Sequence, residues 1–231
     1  VKFVVEQLAT WIKPEQRQSP SENWYDSSPI TLSWVPAMQR RRMTPFVKMV
    51  LHTAHQVTND KGYENMPVIF SSRHGDFHKT ANLLGELGEK QPLSPTGFGL
   101  SVHNAAIGMY SIISGNTQPM NAIAAGKDSF ACALIEAYIK LVEYKQPHIL
   151  LVHTDESLPE PYTTFVDEAQ ITHSIALVIR LATEKEAHFS LTKQATNNSE
   201  QTTTPLSLEL AKAVFNKQSA SANGWLLTHY A

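Results

Sequence analysis

A chain of 231 residues that is 42% hydrophobic and 17% charged has the length and composition of a globular domain with a substantial core. Its formal net charge of −2 lacks the basic excess that a nucleic-acid surface requires. A single cysteine excludes an internal disulfide and a cysteine-based zinc site, and no run of about 18 apolar residues is present to form a membrane-spanning helix.

The opening VKFVVEQLATWI is rich in β-branched and aromatic residues and predicts a strand or an edge segment. It has neither a basic leader nor a small-residue cleavage site, so no signal peptide is expected, and the lone cysteine fits a reducing, cytoplasmic setting. KPEQRQSPSENWYDSSP reads as a Pro/Ser-rich loop, and the short basic run QRRRM as a solvated loop or a local acid-binding patch. TPFVKMVLHTAHQVTND predicts a helix with Thr44 as N-cap, Pro45 in the first position, and Val47, Val50, Leu51 and Ala54 at helical spacing. MPVIFSS is a buried strand, and DFHKTANLLGELGEK a helix capped by Asp76 with Gly88 near its end. QPLSPTGFGL reads as a loop, and SVHNAAIGMYSIISG as a helix with Ser101 as N-cap that stops at Gly115. PMNAIAA is a strand, DSFACALIEAYIKLVEY a helix, HILLVHTDE a strand with an acidic end and PEPYTTF a loop. THSIALVIRLAT and AHFSLTKQAT are β-rich and are expected to pair antiparallel across the EKE turn, adding edge strands. NNSEQTTTP is a polar linker, LSLELAKAVFNKQ a helix and GWLLTHY a last strand. Strands alternating with helices between Met66 and Asp155 predict one α/β domain over 1–231, with a mixed, mostly parallel sheet flanked by helices.

The segment NAIAAGKDSFACALIEAYIKL has the form of a strand, a tight turn and a helix. Such a turn lifts one side chain out of the backbone and aims helix N–H groups at it, so a cysteine there would be an activated nucleophile. The turn instead offers Gly126, Lys127 and Asp128, and a lysine gains nothing from the positive helix end. Ser129 falls within the first helical turn and reads as a hydrogen-bonding group. Cys132 lies further into the helix, beside Leu134, Ala137 and Tyr138, and reads as a small core residue.

In one ungapped register Ser94-Pro95, Asn104, Gly108, Pro119, Ser129 and Glu136-Ala137 follow the order of motifs in a β-ketoacyl synthase, and SSRHGD looks like an earlier strand-to-loop segment of that family. The chain thus resembles the amino-terminal half of a β-ketoacyl synthase of the thiolase-like superfamily, best over residues 67–156. The resemblance implies a thiolase-like half-fold. In that register the nucleophile position holds Lys127, or Gly126 if shifted by one, so no catalytic residue is expected. The family's two catalytic histidines belong to its carboxy-terminal half, and nothing like their motifs follows Ala182. What remains resembles a chain-length factor, and the shortened form resembles those of aryl polyene biosynthesis.

That resemblance implies a full-length ketosynthase as partner, an acyl carrier protein that meets the complex, and no cofactor. It places Met120, Asn121, Ala122, Ile123, Ala124, Asn104 and Gly108 at the partner interface, with the strand over residues 120–125 as an edge that pairs across a pseudo-two-fold axis. It places Leu100, His103, Ile107 and Met109 in the wall of the acyl tunnel, with Val102 beside them. The helix after Ser129 is apolar on all but a stripe of Glu136, Lys140 and Glu143, so it requires cover on more than one side, from this chain's own tail or from the partner.

Ten histidines invite a metal, but His52 and His55 on one helix and His74, Asp76 and His78 on the next share no site by sequence. A serine hydrolase or other stand-alone acyl-transferring enzyme can be written with Ser101 or Ser129, His103 or His153, and Asp155. No Gly-x-Ser-x-Gly elbow supports it.

Overall fold

The computed structural model describes residues 1–17, 22–183, 185–194 and 204–231. The elements run β1 (Lys2–Ile12), α1 (Ala37–Arg40), α2 (Pro45–Thr58), β2 (Val68–Ser71), α3 (Phe77–Gly88), α4 (Pro95–Gly99), α5 (Ala105–Ser114), β3 (Met120–Ile123), α6 (Ser129–Glu143), β4 (Ile149–Asp155), β5 (His173–Leu181), β6 (His188–Lys193), α7 (Leu206–Asn216), β7 (Ala220–Ala222) and β8 (Trp225–Tyr230). Most of the expected polar linker, and residues 18–21 of the Pro/Ser-rich loop, lie outside the described residues.

The strands form one sheet in the order β3-β2-β4-β5-β1-β6-β8-β7, covered by helices on both faces. Strand β4 shows why its sequence is a continuous apolar run rather than an alternation. Ile149 and Leu151 enter the core under α6 and α7, whereas Leu150 and Val152 enter the core under α2 and α5. Helix α6 therefore receives its second cover from the chain's own tail: its Phe130, Leu134 and Leu141 share one core with Leu206, Leu210 and Val214 of α7.

The turn chemistry sets α2. The Thr44 hydroxyl accepts from the Val47 N–H at 3.3 Å and donates to the Asp76 carboxylate at 2.6 Å, so one side chain caps α2 and fixes the start of α3. Asp76 in turn accepts from the Lys79 N–H at 3.2 Å. Gly115, in the left-handed region at φ 73°, ends α5.

Four expectations are corrected. Strand β1 is central, not an edge: it inserts between β5 and β6, so those two segments are not neighbours across their turn. Strand β5 is correspondingly interior, because local alternation fixes which face a residue takes but not which strand lies beside it. The parallel part of the mixed sheet is confined to β3-β2-β4, since β4, β5, β1, β6, β8 and β7 pair antiparallel in turn. Finally, the expected loop at 91–100 contains α4, whose cap is Ser94 accepting from the Gly97 N–H at 3.1 Å, and Ser101 caps nothing. The Ser101 hydroxyl donates to the Phe98 carbonyl at 2.8 Å, and α5 starts later, after Asn104.

Replacing Thr44 by Ala removes a cap and a charge-assisted hydrogen bond together. We expect a loss of about 1–2 kcal/mol in unfolding free energy, measured by urea denaturation, with Thr44→Ser retaining most of the wild-type value.

Candidate functional site

The carboxyl ends of the parallel neighbours β2 and β4 meet the amino end of antiparallel β5. This register sets Ser71 beside His153, and Asp155 opposite His173. The Ser71 hydroxyl lies 2.9 Å from His153 Nδ1, and His153 Nε2 faces the Asp155 carboxylate at 3.1 Å. The other Asp155 oxygen accepts from the Ser72 hydroxyl and the Arg73 N–H, each at 2.8 Å. Burial alone would raise the Asp155 carboxyl, but the His153 imidazole and these donors hold it down at about 2.

His173 is buried and neutral. Its Nδ1–H donates to the Ile171 carbonyl at 2.7 Å, and Nε2 accepts from the Ser207 hydroxyl at 2.7 Å. Burial first, then the neighbouring His153, lower its pKa to about 4. Ser71, His153 and Asp155 thus stand in the order of a catalytic triad, but Ser71 is 0% and His153 3% exposed, and the Phe130 ring meets His153 edge-on at 5.4 Å. No path for a substrate reaches this serine, so the arrangement is a buried polar network.

The turn before α6 adjoins this network. Gly126 takes φ 58°, where a side chain would be strained. The Ser129 hydroxyl donates to the Gly126 carbonyl at 2.7 Å and accepts from the Ala125 N–H at 2.9 Å, the hydrogen-bonding role expected of it. Lys127 Nζ is bound by the Asp167 carbonyl at 2.9 Å and the Asp167 carboxylate at 3.2 Å. Arg73 grips both carboxylate oxygens of Asp167 at 2.8 and 3.1 Å and Glu168 at 2.9 Å. Below this ionic cover, between Gly126, Ser129, Phe130, His153 and Ser207, is a void of about 10 Å³, room for a single water.

Cys132 departs from its expected place in the core. It is half-buried, and burial and then Asp128 push its thiol pKa up, away from nucleophilic character. Of the hydrolase candidates, His153 and Asp155 pair as above, but neither serine is seen to join them: Ser101 and Ser129 bond to carbonyls, and His103 Nε2 lies 2.9 Å from the Ser72 carbonyl. The histidine groups also separate. His52 faces Asp26 at 3.7 Å, His55 stacks on Trp34, and His78 donates to the Ser157 carbonyl at 2.8 Å.

Among the described residues strand β3 ends the sheet and pairs only with β2; Asn121, Ala122 and Ala124 are exposed, and Met120 and Ile123 half-buried. Asn104 and Gly108 are exposed one helical turn apart on α5, and Ile112, 77% exposed, continues their stripe. Leu100, His103 and Met109 are half-buried, whereas Ile107 is buried among the residues under α2.

Sequence reasoning did not reach Ser71, the Arg73–Asp167–Lys127 cover, or a cleft of about 960 Å³ between α2, α3 and the loop after β4, into which Glu156 projects. Their partners are 82 to 94 residues apart in the chain for Ser71–His153 and Arg73–Asp167, so no local pattern signals them. The acidic end of β4, the SSRHGD segment and Lys127 stood out in the sequence, but nothing there joined them.

A neutral buried histidine makes stability fall with acid. His173 takes up protons more readily when unfolded, so its contribution is complete above about pH 6.5 and is lost as pH falls toward about 4. We expect this window to remove about 3 kcal/mol from the unfolding free energy, followed by urea melts at stepped pH, and His173→Gln to flatten that part of the profile.

Comparison with known proteins gives this architecture its relatives. Aligned with solved structures, the chain matches over its whole length a chain from "Ketosynthase (ApeO) in Complex with its Chain Length Factor (ApeC) from Xenorhabdus doucetiae", at 19% identity and a TM-score of 0.80, covering all of that chain as well. A β-ketoacyl synthase from Burkholderia phymatum STM815 matches at 12% identity and a TM-score of 0.57, over 76% of this chain and 53% of its own. The ishigamide ketosynthase/chain length factor matches at 14% and 0.55, over 68% and 51%. The chain spans about half the length of these last two, and at such identities the likeness establishes the fold. No curated protein matches the sequence. The family model for the β-ketoacyl synthase N-terminal domain matches residues 11–230, well beyond the span over which the motifs alone align, and the chain belongs to that family.

Proposed function

We propose that this chain is a non-catalytic chain-length-factor subunit that pairs with an active ketosynthase and shapes its acyl tunnel. The observation that carries this reading is the closed turn before α6. Where the family resemblance puts an acyl-accepting thiol, Lys127 is tied to Asp167 above a void of about 10 Å³, which has no room for a thioester. The likeness to a chain from a ketosynthase–chain length factor complex supports the same reading.

In this reading β3 extends the partner's sheet through its open edge, using Met120, Asn121, Ala122, Ile123 and Ala124, with Asn104 and Gly108 of α5 alongside. The exposed Phe98, Val102 and Ile112 enlarge the apolar surface that the partner would cover. Leu100, His103 and Met109 contribute to the tunnel wall, while Ile107, packed into the chain's own core, holds α5 in place. The finer assignment is an aryl-polyene-type condensing pair, served by an acyl carrier protein that docks on the complex, with no cofactor of this chain's own. The assembly is assigned to the cytoplasm, with this chain as one domain of it; among the described residues no helix is long and apolar enough to cross a membrane.

Co-expression with a full-length ketosynthase tests the pairing. We expect a stable one-to-one complex in size-exclusion chromatography, and Ala122→Asp with Ala124→Asp to weaken it at least about tenfold by leaving buried charges unpaired at the joined edge. Lys127→Ala should leave condensation by the complex nearly unchanged, and Met109→Ala should shift product length. A covalent acyl adduct on this chain, formed without a partner, would refute the reading.

A further inference from the structure

We propose that the cleft between α2, α3 and the loop after β4 binds an amphiphilic anion, an apolar chain or aryl body carrying one carboxylate. The cleft holds about 960 Å³ and is lined along its length by Trp11, Ile30, Pro45, Met49, Leu83 and Leu158. No residue of β3 or α5 lines it, so the site is separate from the edge assigned to the partner and stands whether or not that assignment holds.

The polar groups on the walls divide into those already used and those left free. The Gln16 amide donates to the Ser157 hydroxyl at 3.0 Å and the Gln170 carbonyl at 2.9 Å, and its oxygen accepts from the Thr172 N–H at 2.7 Å. The Asp76 carboxylate is taken by the Thr44 hydroxyl and the Lys79 N–H. These groups have little left for a polar ligand body, which favours an apolar one. The lysines Lys13, Lys48 and Lys79 also line the cleft, and none makes a salt bridge among the described residues. Three free ammonium groups above an apolar floor suit an anionic head.

The acids that line the cleft against such a head are Asp76, Glu86 and Glu156, with His78 also on the wall and Asp155 within electrostatic reach of Glu156. Burial first, and then the nearby Asp76, raise the pKa of Glu156 to about 7, against the lowering effect of His78 and Lys13. Its protonated form is therefore available near neutral pH, and in that form its carboxylic proton can be donated to the bound carboxylate. The ligand is ionised throughout this range, so its affinity falls as rising pH ionises Glu156.

Titration calorimetry of the purified full chain with octanoate, octanol and octylamine separates the head groups on one common tail. We expect saturable one-to-one octanoate binding at pH 6, at least about tenfold tighter than octanol, and weaker by about three- to tenfold at pH 8. Lys48→Glu with Lys79→Glu should remove most of the octanoate affinity and leave octanol binding, and Glu156→Gln should abolish the pH dependence. Ala122→Asp in β3 should leave octanoate binding unchanged. Octylamine binding tightest would assign the cleft to a cation and overturn the proposal. So would octanoate and octanol binding equally, no saturable binding, or octanoate affinity that charge reversal at the lysines does not change.

Discussion

The carboxylate of Asp155 is the constraint around which the rest is arranged. Three apolar strands, β2, β4 and β5, converge at one end of the sheet with both faces covered, and the Asp155 side chain keeps only 17% exposure there. An ionised carboxylate is costly there unless every lone pair is used. His153, the Ser72 hydroxyl and the Arg73 N–H use them, and in doing so they bind β2 to β4 beyond the sheet ladder. Arg73 then carries the connection outward: its backbone serves Asp155 while its guanidinium holds Asp167 and Glu168.

That outward connection decides the character of the turn before α6. The same backbone form, a left-handed glycine followed by a helix, can present a reactive group to a substrate. Here the segment carrying Asp167 is drawn down by Arg73 and Lys127, and the space beneath shrinks to the size of a water molecule. An ion-pair cluster and a buried histidine network flank that space. Beyond the β4 terminus the chain behaves differently: Glu156, one residue past Asp155, meets a wide, largely apolar cleft. Two successive acids thus meet contrasting surroundings, one saturated with donors and held at about 2, the other desolvated and raised to about 7.

The sheet also explains how a chain of this size covers a wide apolar helix. The segment after β5 returns as β6, α7, β7 and β8, and α7 settles beside α6 on one face. Ile139 and Val142 of α6 stay exposed at 44% and 49%, so this cover is partial, and β3 remains an open edge of four residues at the far end of the sheet. An edge that short limits self-association while still offering a backbone ladder to a fitted partner.

Much of this was legible in the residues. Thr44-Pro45 marked the start of α2, Asp76 that of α3 and Gly115 the end of α5, because caps are local hydrogen-bond geometry written in a few adjacent residues. The apolar runs marked β2 as a buried strand and β4 and β5 as strands, though β5 was expected at an edge, and the shared register of scattered Ser, Asn, Gly and Glu residues pointed to the family. Tertiary structure alone decided that β1 lies between β5 and β6, that Ser71 reaches His153, and that Arg73 and Lys127 meet over Asp167. Local sequence sets what a residue can bury or bond, but the choice of partner is made by long-range strand order, and that follows from the packing of the whole core.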